Sequence, residues 1–258
     1  MNVLFVGDVV GPQAVEYLAG RLQALRRDLN ADLAVVNAEN CGPSGVGMTV
    51  QLVERLLGAG ADVITAGNHA FDGPEADAVL AHPRVLRPLN VSDGVAGRGT
   101  LTLETDAGPA TVLVLADRAA LALAPAVSEP PVSPHEAWLR APRRGTVLVD
   151  FHAQSVMEKQ AFAHAVDREA AAVLGTHTHE PTLHLDVLPG GTAFVTEVGM
   201  TGCRSGPQGF EPDRFIEIAR GADRAAVPPP RPALGPITLG AVLVHTQRGA
   251  ARAVQRVT

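Results

Sequence analysis

The sequence VLFVGD, residues 3–8, is a short run of apolar and β-branched residues that ends on a carboxylate. Four more runs of this kind follow: LAVVNAEN (33–40), VITAGNH (63–69), VLVDFH (147–152) and AVLGTHTH (172–179). Such runs, bounded by Gly or Pro, predict buried strands of a mostly parallel sheet. Because ligands collect beyond the carboxyl ends of parallel strands, the polar tips of the five runs predict one shared site.

The segments between these runs have the spacing of helices. After Gly11-Pro12, one helix is predicted from apolar residues that recur at helical intervals, namely Val15, Leu18, Leu22, Leu25 and Leu29. A second helix is predicted over residues 50–57. Ser155 and Glu158 have capping-box spacing, which places His152 just before a third helix.

The second half of the chain is richer in β signals. Residues 100–104 and 110–115 predict a change towards antiparallel pairing, and residues 237–245 with 250–257 predict a closing hairpin. Residues 122–145 contain five prolines and predict an irregular surface connection: Pro125, Pro130, Pro131, Pro134 and Pro142. With no repeat and no linker, we predict an α/β fold in which residues 1–258 form one domain of two β-layers flanked by helices.

Composition restricts the classes of function. Apolar residues make up 46% of the 258 residues, and the formal net charge of −6 provides no electrostatic surface for duplex nucleic acid. No stretch has the length of a membrane-spanning helix or the features of a signal peptide, so a cytoplasmic location without membrane association is expected. Two cysteines are too few for a disulfide framework.

The strand tips offer carboxylate, amide and imidazole donors without a thiolate, a set that suits Fe, Mn, Zn or Co. Seven donors exceed what one tetrahedral zinc needs, and they fit two metals about 3.5–4 Å apart with a bridging carboxylate. Each residue also has a structural alternative. Asp8 and Asn40 could cap helices, Asn68 could stabilise a turn, and His152 could be a surface imidazole.

The motifs Asn37-Ala38-Glu39-Asn40, Gly67-Asn68-His69 and Gly175-Thr176-His177-Thr178-His179, in this order after Asp8, resemble the calcineurin-like metallophosphoesterases. Within them the chain is most similar to the YmdB-like branch of bacterial cyclic-nucleotide phosphodiesterases. It departs from the general pattern at Val10 and Glu39, which stand where the superfamily has a histidine and a bridging Asp. Ala70 stands where an acid normally follows Gly-Asn-His, which leaves His69 without its usual orienting carboxylate.

The resemblance implies a metallophosphoesterase-type β-sandwich of two mixed sheets, with a dimetal site at the strand ends. The first metal would be held by Asp8, Glu39, Asn40 and His179. Glu39 would bridge to a second metal, held also by Asn68, His152 and His177. His69 would be the general acid, and Fe or Mn are the expected metals.

The implied reaction is hydrolysis of 2′,3′-cyclic nucleotides to 3′-phosphates, with a metal-bound hydroxide as nucleophile. Two alternatives stay open: a phosphomonoesterase or general phosphodiesterase, and a non-catalytic regulatory protein that binds a nucleotide or a partner on the same scaffold. The Gly-rich residues 199–209 predict a mobile rim that controls access, from which Arg204 could reach a substrate phosphate. The sequence leaves the oligomeric state open, a homo-oligomer included.

Overall fold

Two six-stranded mixed sheets organise the computed structural model, which describes residues 1–124, 127 and 131–257. The strands are β1 (Asn2–Val6), β2 (Leu33–Asn37), β3 (Val63–Thr65), β4 (Val85–Leu86), β5 (Thr100–Thr105), β6 (Gly108–Ala116), β7 (Thr146–His152), β8 (Ala172–Thr176), β9 (Asp186–Val187), β10 (Ala193–Val195), β11 (Gly202–Cys203), β12 (Ile237–Thr238), β13 (Ala241–Gln247) and β14 (Ala250–Arg256). The helices are α1 (Gly11–Ala19), α2 (Leu22–Asp28), α3 (Val50–Gly58), α4 (Ala76–Leu80), α5 (Arg118–Leu121), α6 (Pro134–Arg140), α7 (Val156–Ala165) and α8 (Asp213–Ala219).

The second sheet has a parallel centre and two antiparallel edges, whereas the first is antiparallel only at β13 and β14, and its other edge strand, β4, is parallel to β3. The first has the order β14-β13-β1-β2-β3-β4, and the second β5-β6-β7-β8-β10-β9. All five predicted strands lie in the parallel parts, where β1 pairs with β2, β2 with β3, and β7 with β8. The predicted antiparallel pairing of β5 with β6 and the closing hairpin of β13 and β14 are both confirmed.

The core forms three apolar layers because side chains alternate between the two faces of each strand. Val3, Phe5 and Val35 of the first sheet pack against Val112 and Leu174 of the second. The outer face of the first sheet packs on α1 and α3, and that of the second sheet packs on α6 and α7. The predicted sandwich of two mixed sheets with helices outside is therefore confirmed.

Two details of the sequence prediction are wrong. The first helix is not continuous, because Gly20 and Arg21 separate α1 from α2, although its apolar residues still face the core. Residues 122–145 are not wholly irregular, because α6 forms there; Pro125 and Pro130 lie outside the described residues. Pro134 occupies the first turn of α6, where a missing N–H costs nothing. The Ser133 side chain caps this helix, and the buried Trp138 anchors it.

Two further observations concern the described residues. Cys41 and Cys203 are free and buried. None of the described helices is both long and apolar enough to cross a bilayer.

Candidate metal centre

The polar tips of the five predicted strands meet at one edge of the sandwich. The parallel strands of both sheets end there, and the loops that follow turn inward. Six of the seven predicted ligands are buried: Asp8, Glu39, Asn40, Asn68, His152 and His179. The seventh, His177, is half-buried. Burying several charged groups together is costly unless they are paired or bind metals. The burial of these ligands therefore points to a metal site.

The other three predicted ligands of the second metal converge on the Nε2 atom of His152. Nε2 lies 3.1 Å from Glu39 Oε1, 3.0 Å from Asn68 Oδ1 and 3.0 Å from His177 Nδ1. Donor atoms of Glu39, His152 and His177 all lie within 4.8 Å of one another. The structure therefore brings the predicted second group together.

The hydrogen bonds around His152 show which of its nitrogens is free. Thr176 Oγ1 donates to Asp150 Oδ1 at 2.6 Å, so it accepts from Nδ1 of His152 at 2.9 Å. A proton on Nε2 would give the imidazolium whose charge lowers the pKa of Glu39. In the neutral imidazole, which is the form that binds a metal, Nε2 has no hydrogen. It nevertheless faces two oxygens that also have none, those of Glu39 and Asn68. Acceptors that converge without a hydrogen between them fit a cation.

His177 likewise has one ring nitrogen held by an acceptor and the other facing the site. Its Nε2 lies 3.0 Å from Gln154 Oε1, which leaves Nδ1 free to face His152 and Glu39. Burial, together with the neighbouring His152, lowers the pKa of His177 to about 3. The imidazole is therefore neutral near pH 7, the form in which histidine binds metals.

The predicted ligands of the first metal lie beside this group. His179 Nδ1 donates to the carbonyl of Gln208 at 2.9 Å, so its Nε2 is free; it lies 3.8 Å from Asp8 Oδ1. Asn40 donates to Gly45 O, whereas its own Oδ1 is buried and has no hydrogen-bond partner among the described residues. An orphaned buried oxygen of this kind fits a metal ligand.

The carboxylates differ in their electrostatic environment. Burial raises the pKa of Asp8 well above its usual range, and Glu197 and Glu39 add to that effect. Burial acts on Glu39 in the same direction, but the imidazole of His152 outweighs it and holds the pKa of Glu39 well below its usual range. Glu39 Oε2 accepts from the amides of Gly67 and His69 at 2.7 and 3.2 Å. Its Oε1 is the oxygen that faces the second group.

His69 lies at the start of a 3-10 turn over Asn68–Phe71. Its Nδ1 is 2.6 Å from Asp72 Oδ2, so the orienting carboxylate comes from the third residue along rather than from the next one. Burial lowers the pKa of His69, but the hydrogen bond to Asp72 and the charge of Glu39 outweigh it, and the pKa lies above its ordinary value. The imidazole is partly exposed, as an acid that reaches substrate must be.

Among the described residues, the Arg204 side chain has no hydrogen bond to a predicted ligand. It is exposed, and it lines a cleft of about 670 Å³ that His179, Tyr17 and Arg256 also line. The cleft joins the Gly-rich residues 199–206 to the first-metal side of the site. Gln208, in the same Gly-rich segment, contacts His179, so this segment touches a predicted ligand as well as bordering the cleft.

Sequence reasoning missed four supporting residues: Asp72, Asp150, Gln154 and Thr176. Asp150 and Gln154 each stand two residues from His152, and Thr176 adjoins His177, so proximity to a predicted ligand was the available signal. Asp150 also accepts from Asn37 and Thr65 of the other sheet, at 3.0 and 2.6 Å. That contact depends on how the sheets pack and has no counterpart in local sequence.

A sandwich of two mixed sheets with acid, amide and imidazole groups at one edge defines the metallophosphoesterase class. A Staphylococcus aureus structure described as a 5′-nucleotidase shares this fold, with a TM-score of 0.58 and 15% identity over 99% of this chain and 53% of its own. More specifically, the chain belongs to the YmdB-like protein family, whose model matches residues 4–257.

Individual relatives support this assignment. The 2′,3′-cyclic-nucleotide 2′-phosphodiesterase of Bacillus subtilis (strain 168) is 34% identical over 84% of this chain and 81% of its own. A crystal structure of a hypothetical protein from Thermus thermophilus has a TM-score of 0.87, 33% identity and coverage of 98% and 97%. A Mycoplasma pneumoniae phosphatase structure has a TM-score of 0.86, 28% identity and coverage of 100% and 92%. The predicted family, and the prediction of an enzyme, are confirmed.

Proposed function

We propose that this protein is a dimetal phosphodiesterase that opens 2′,3′-cyclic nucleotides to 3′-phosphates. The observation that carries the proposal is the convergence of hydrogen-free acceptors on His152 Nε2 beside the oriented imidazole of His69. The activity named for the Bacillus subtilis relative provides the substrate class. The proposed partner is thus a small phosphodiester, and neither duplex nucleic acid nor a membrane.

The proposed ligand sets are those of the sequence prediction. The first ion would be held by Asp8, Glu39, Asn40 and His179, and the second by Glu39, Asn68, His152 and His177. Two such ions would supply Lewis acidity to the phosphate oxygens and activate a water molecule. These oxygen and nitrogen donors accept Fe, Mn, Zn or Co, and Fe or Mn is our proposal.

The buried charges support two divalent ions. Four buried carboxylates, Asp8, Glu39, Asp150 and Glu197, interact with one another, and Lys159 is the one buried lysine beside them among the described residues. Four negative charges and one positive charge leave a formal charge of about −3, if all are ionised. Two divalent cations would reverse this to about +1 and make the site attractive to a phosphodiester.

His69 is proposed to move the proton of the reaction. The water oxygen forms a bond to phosphorus and the bond from phosphorus to O2′ breaks. The departing O2′ takes a proton from Nε2 of His69, the water releases one to solvent, and His69 regains its proton from solvent. Asp72 holds Nδ1, which keeps Nε2 directed outward and favours the protonated imidazole. The product then carries a 2′-hydroxyl and a 3′-phosphate.

Three further predictions stay proposals. We propose that residues 1–258 form one domain, because the two sheets share one apolar interior. Arg204 is proposed to contact a substrate phosphate from the cleft that it shares with His179. The cytoplasmic location rests on the sequence features alone.

The test of the catalytic role is His69→Ala. This variant should retain two metals per chain and lose roughly 10²–10⁴-fold in kcat on a 2′,3′-cyclic nucleotide, whose leaving oxygen needs a proton. A nitrophenyl phosphodiester, whose leaving group needs little protonation, should show a much smaller loss. His82→Ala is the matched control, since His82 is half-buried and pairs with Glu54 away from the site. Equal losses on both substrates, or loss of a metal, would refute the assignment.

The Mycoplasma pneumoniae relative, described as a phosphatase, favours a phosphomonoesterase as the second candidate. Product analysis separates the two. A phosphodiesterase accumulates 3′-nucleotide from the cyclic substrate, whereas a phosphomonoesterase leaves the cyclic substrate intact and releases inorganic phosphate from a 3′-nucleotide. Binding of the cyclic nucleotide without turnover in the presence of Mn²⁺ would instead indicate the non-catalytic alternative.

A further inference from the structure

The turn that carries two of the predicted ligands has an unusual backbone. His177 and His179 both lie in the left-handed region, with φ of 92° and 64°. Residues other than glycine rarely adopt this conformation, and it persists where surrounding contacts over-determine it. Something next to the turn must therefore hold it.

One buried ion pair makes several of the contacts that hold the turn, in addition to those of Asp8 with the His177 amide and of Gln208 with His179 and Thr178. Lys159 Nζ lies 2.9 Å from Glu197 Oε2 and donates to the carbonyl of Thr176 at 2.8 Å, just before His177. Glu197 Oε2 accepts from the amide and the hydroxyl of Thr178, between the two histidines, at 3.0 and 2.5 Å. Its Oε1 accepts from the amide of Gly199 at 3.2 Å.

Stability alone does not account for this pair. Lys159 is 0% exposed and Glu197 is 2% exposed, and a buried ion pair is often no more stabilising than apolar residues of the same volume. Lys159 is also the single lysine of the chain. Its ammonium group reaches from α7 to the end of β8, and Glu197 follows β10, so the pair joins three elements at the ligand turn.

We propose that Lys159 and Glu197 are positioning residues that hold the turn of His177 and His179 in its ligand-binding conformation. The inference rests on the proposed function, because it assumes that these imidazoles bind metal. Each histidine belongs to a different proposed metal, so loosening one turn should weaken both sites. Neither Lys159 nor Glu197 is a proposed ligand, and each is proposed to act through the turn.

The single lysine permits a direct observation. Protein prepared with ¹³C,¹⁵N-labelled lysine has one lysine side-chain signal, that of Lys159. Because the ammonium group contacts the backbone of the ligand turn, titration with diamagnetic Zn²⁺ should shift this signal with the same midpoint as Zn²⁺ binding measured by calorimetry. A signal that stays unchanged while Zn²⁺ binds would overturn the inference.

The variants test positioning against folding. Lys159→Met alone leaves Glu197 unpaired in the interior and can unfold the protein, so the informative variant combines Lys159→Met with Glu197→Gln. Removing both charges avoids an uncompensated buried ion. The double variant should fold, yet its Zn²⁺ dissociation constants should rise about 10–100-fold, the usual effect of removing a group that orients a ligand.

Arg87→Met is the matched control. Arg87 is also a buried cation that holds a loop through carbonyl oxygens, those of Pro88, Val95 and Ala96, and it has no hydrogen bond to a predicted ligand. The Arg87→Met variant should have a lower free energy of unfolding than the parent and the same Zn²⁺ affinity. If the double variant is folded and binds Zn²⁺ like the parent, the inference fails while the proposed function stands. If the parent binds no metal, both fail.

Discussion

Each predicted histidine ligand has one nitrogen held by an acceptor and the other free. Thr176 holds His152, Gln154 holds His177, and the carbonyl of Gln208 holds His179. Acceptors on the outer nitrogen select the tautomer and fix the ring plane, which matters for metal affinity because a ligand nitrogen must be unprotonated and aimed. A hydroxyl, a side-chain amide oxygen and a backbone carbonyl thus each leave the ligand nitrogen of one histidine free.

The hydroxyl of Thr176 provides a test at this scale. In Thr176→Val the shape is kept, but Nδ1 of His152 loses its acceptor, so the tautomer is no longer selected. We expect affinity for one of the two metals to fall about 10–100-fold, measured by calorimetry with Mn²⁺. Thr176→Ser, which keeps the hydroxyl, is the control and should bind like the parent. Unchanged affinity in Thr176→Val would contradict this role.

Asp72 should set the alkaline limit of the reaction. The Asp72 carboxylate raises the pKa of His69 in the folded protein, and the proposed acid must be protonated to act. In Asp72→Asn the pKa of His69 should fall, so kcat should begin to decline at a lower pH than in the parent. The pH profile of kcat on a 2′,3′-cyclic nucleotide measures this shift. An alkaline limb that does not move would exclude Asp72 from this role.

At the scale of elements, most of the predicted site residues lie in loops that the strands place at one edge, whereas His152 is the last residue of β7. The Gly-rich segment between β11 and α8 contacts His179 through Gln208, whose φ of 53° is also left-handed. Its Arg204 side chain is exposed at the cleft. One segment therefore contributes to a predicted ligand and to the proposed substrate contact.

Arg204→Ala separates these two contributions. The substitution removes a cation from the cleft without touching Gln208, so KM for a cyclic nucleotide should rise while kcat changes little and metal content stays at the parent value. Arg248→Ala is the control, because Arg248 lies in the turn between β13 and β14, at the opposite end of the first sheet. An unchanged KM would remove Arg204 from the substrate site.

At the scale of the whole molecule, the buried carboxylates lie where both sheets end, so metal binding and folding should be linked. Ions that bind only the folded chain stabilise it by about 2.7 kcal/mol at a free concentration 100 times the dissociation constant. For a protein of this size that corresponds to a rise in Tm of roughly 5–10 °C.

Chelation followed by thermal unfolding measures this linkage. The metal-free protein should unfold at a lower temperature, and added Mn²⁺ should restore the original Tm. The variant His152→Ala/His177→Ala, which lacks two ligands of the second group, should show a smaller difference between metal-free and Mn²⁺-treated samples. A parent protein with equal Tm in both states would argue against metals that contribute to folding.

The sequence by itself determined the parallel strands, the polar tips and the family, because continuous apolar runs and the polar residues at their ends are local properties of the chain. Residues such as Asp8, Glu39 and His152 could therefore be placed at one edge before the structure was known. A local 3-10 turn, which the sequence analysis did not predict, brings Asp72 to His69. Tertiary structure alone decided that Asp150 of one sheet binds Asn37 and Thr65 of the other, and that Lys159 of α7 meets Glu197 after β10. These contacts join residues 30 or more positions apart, and packing between layers, not local pattern, selects such pairs.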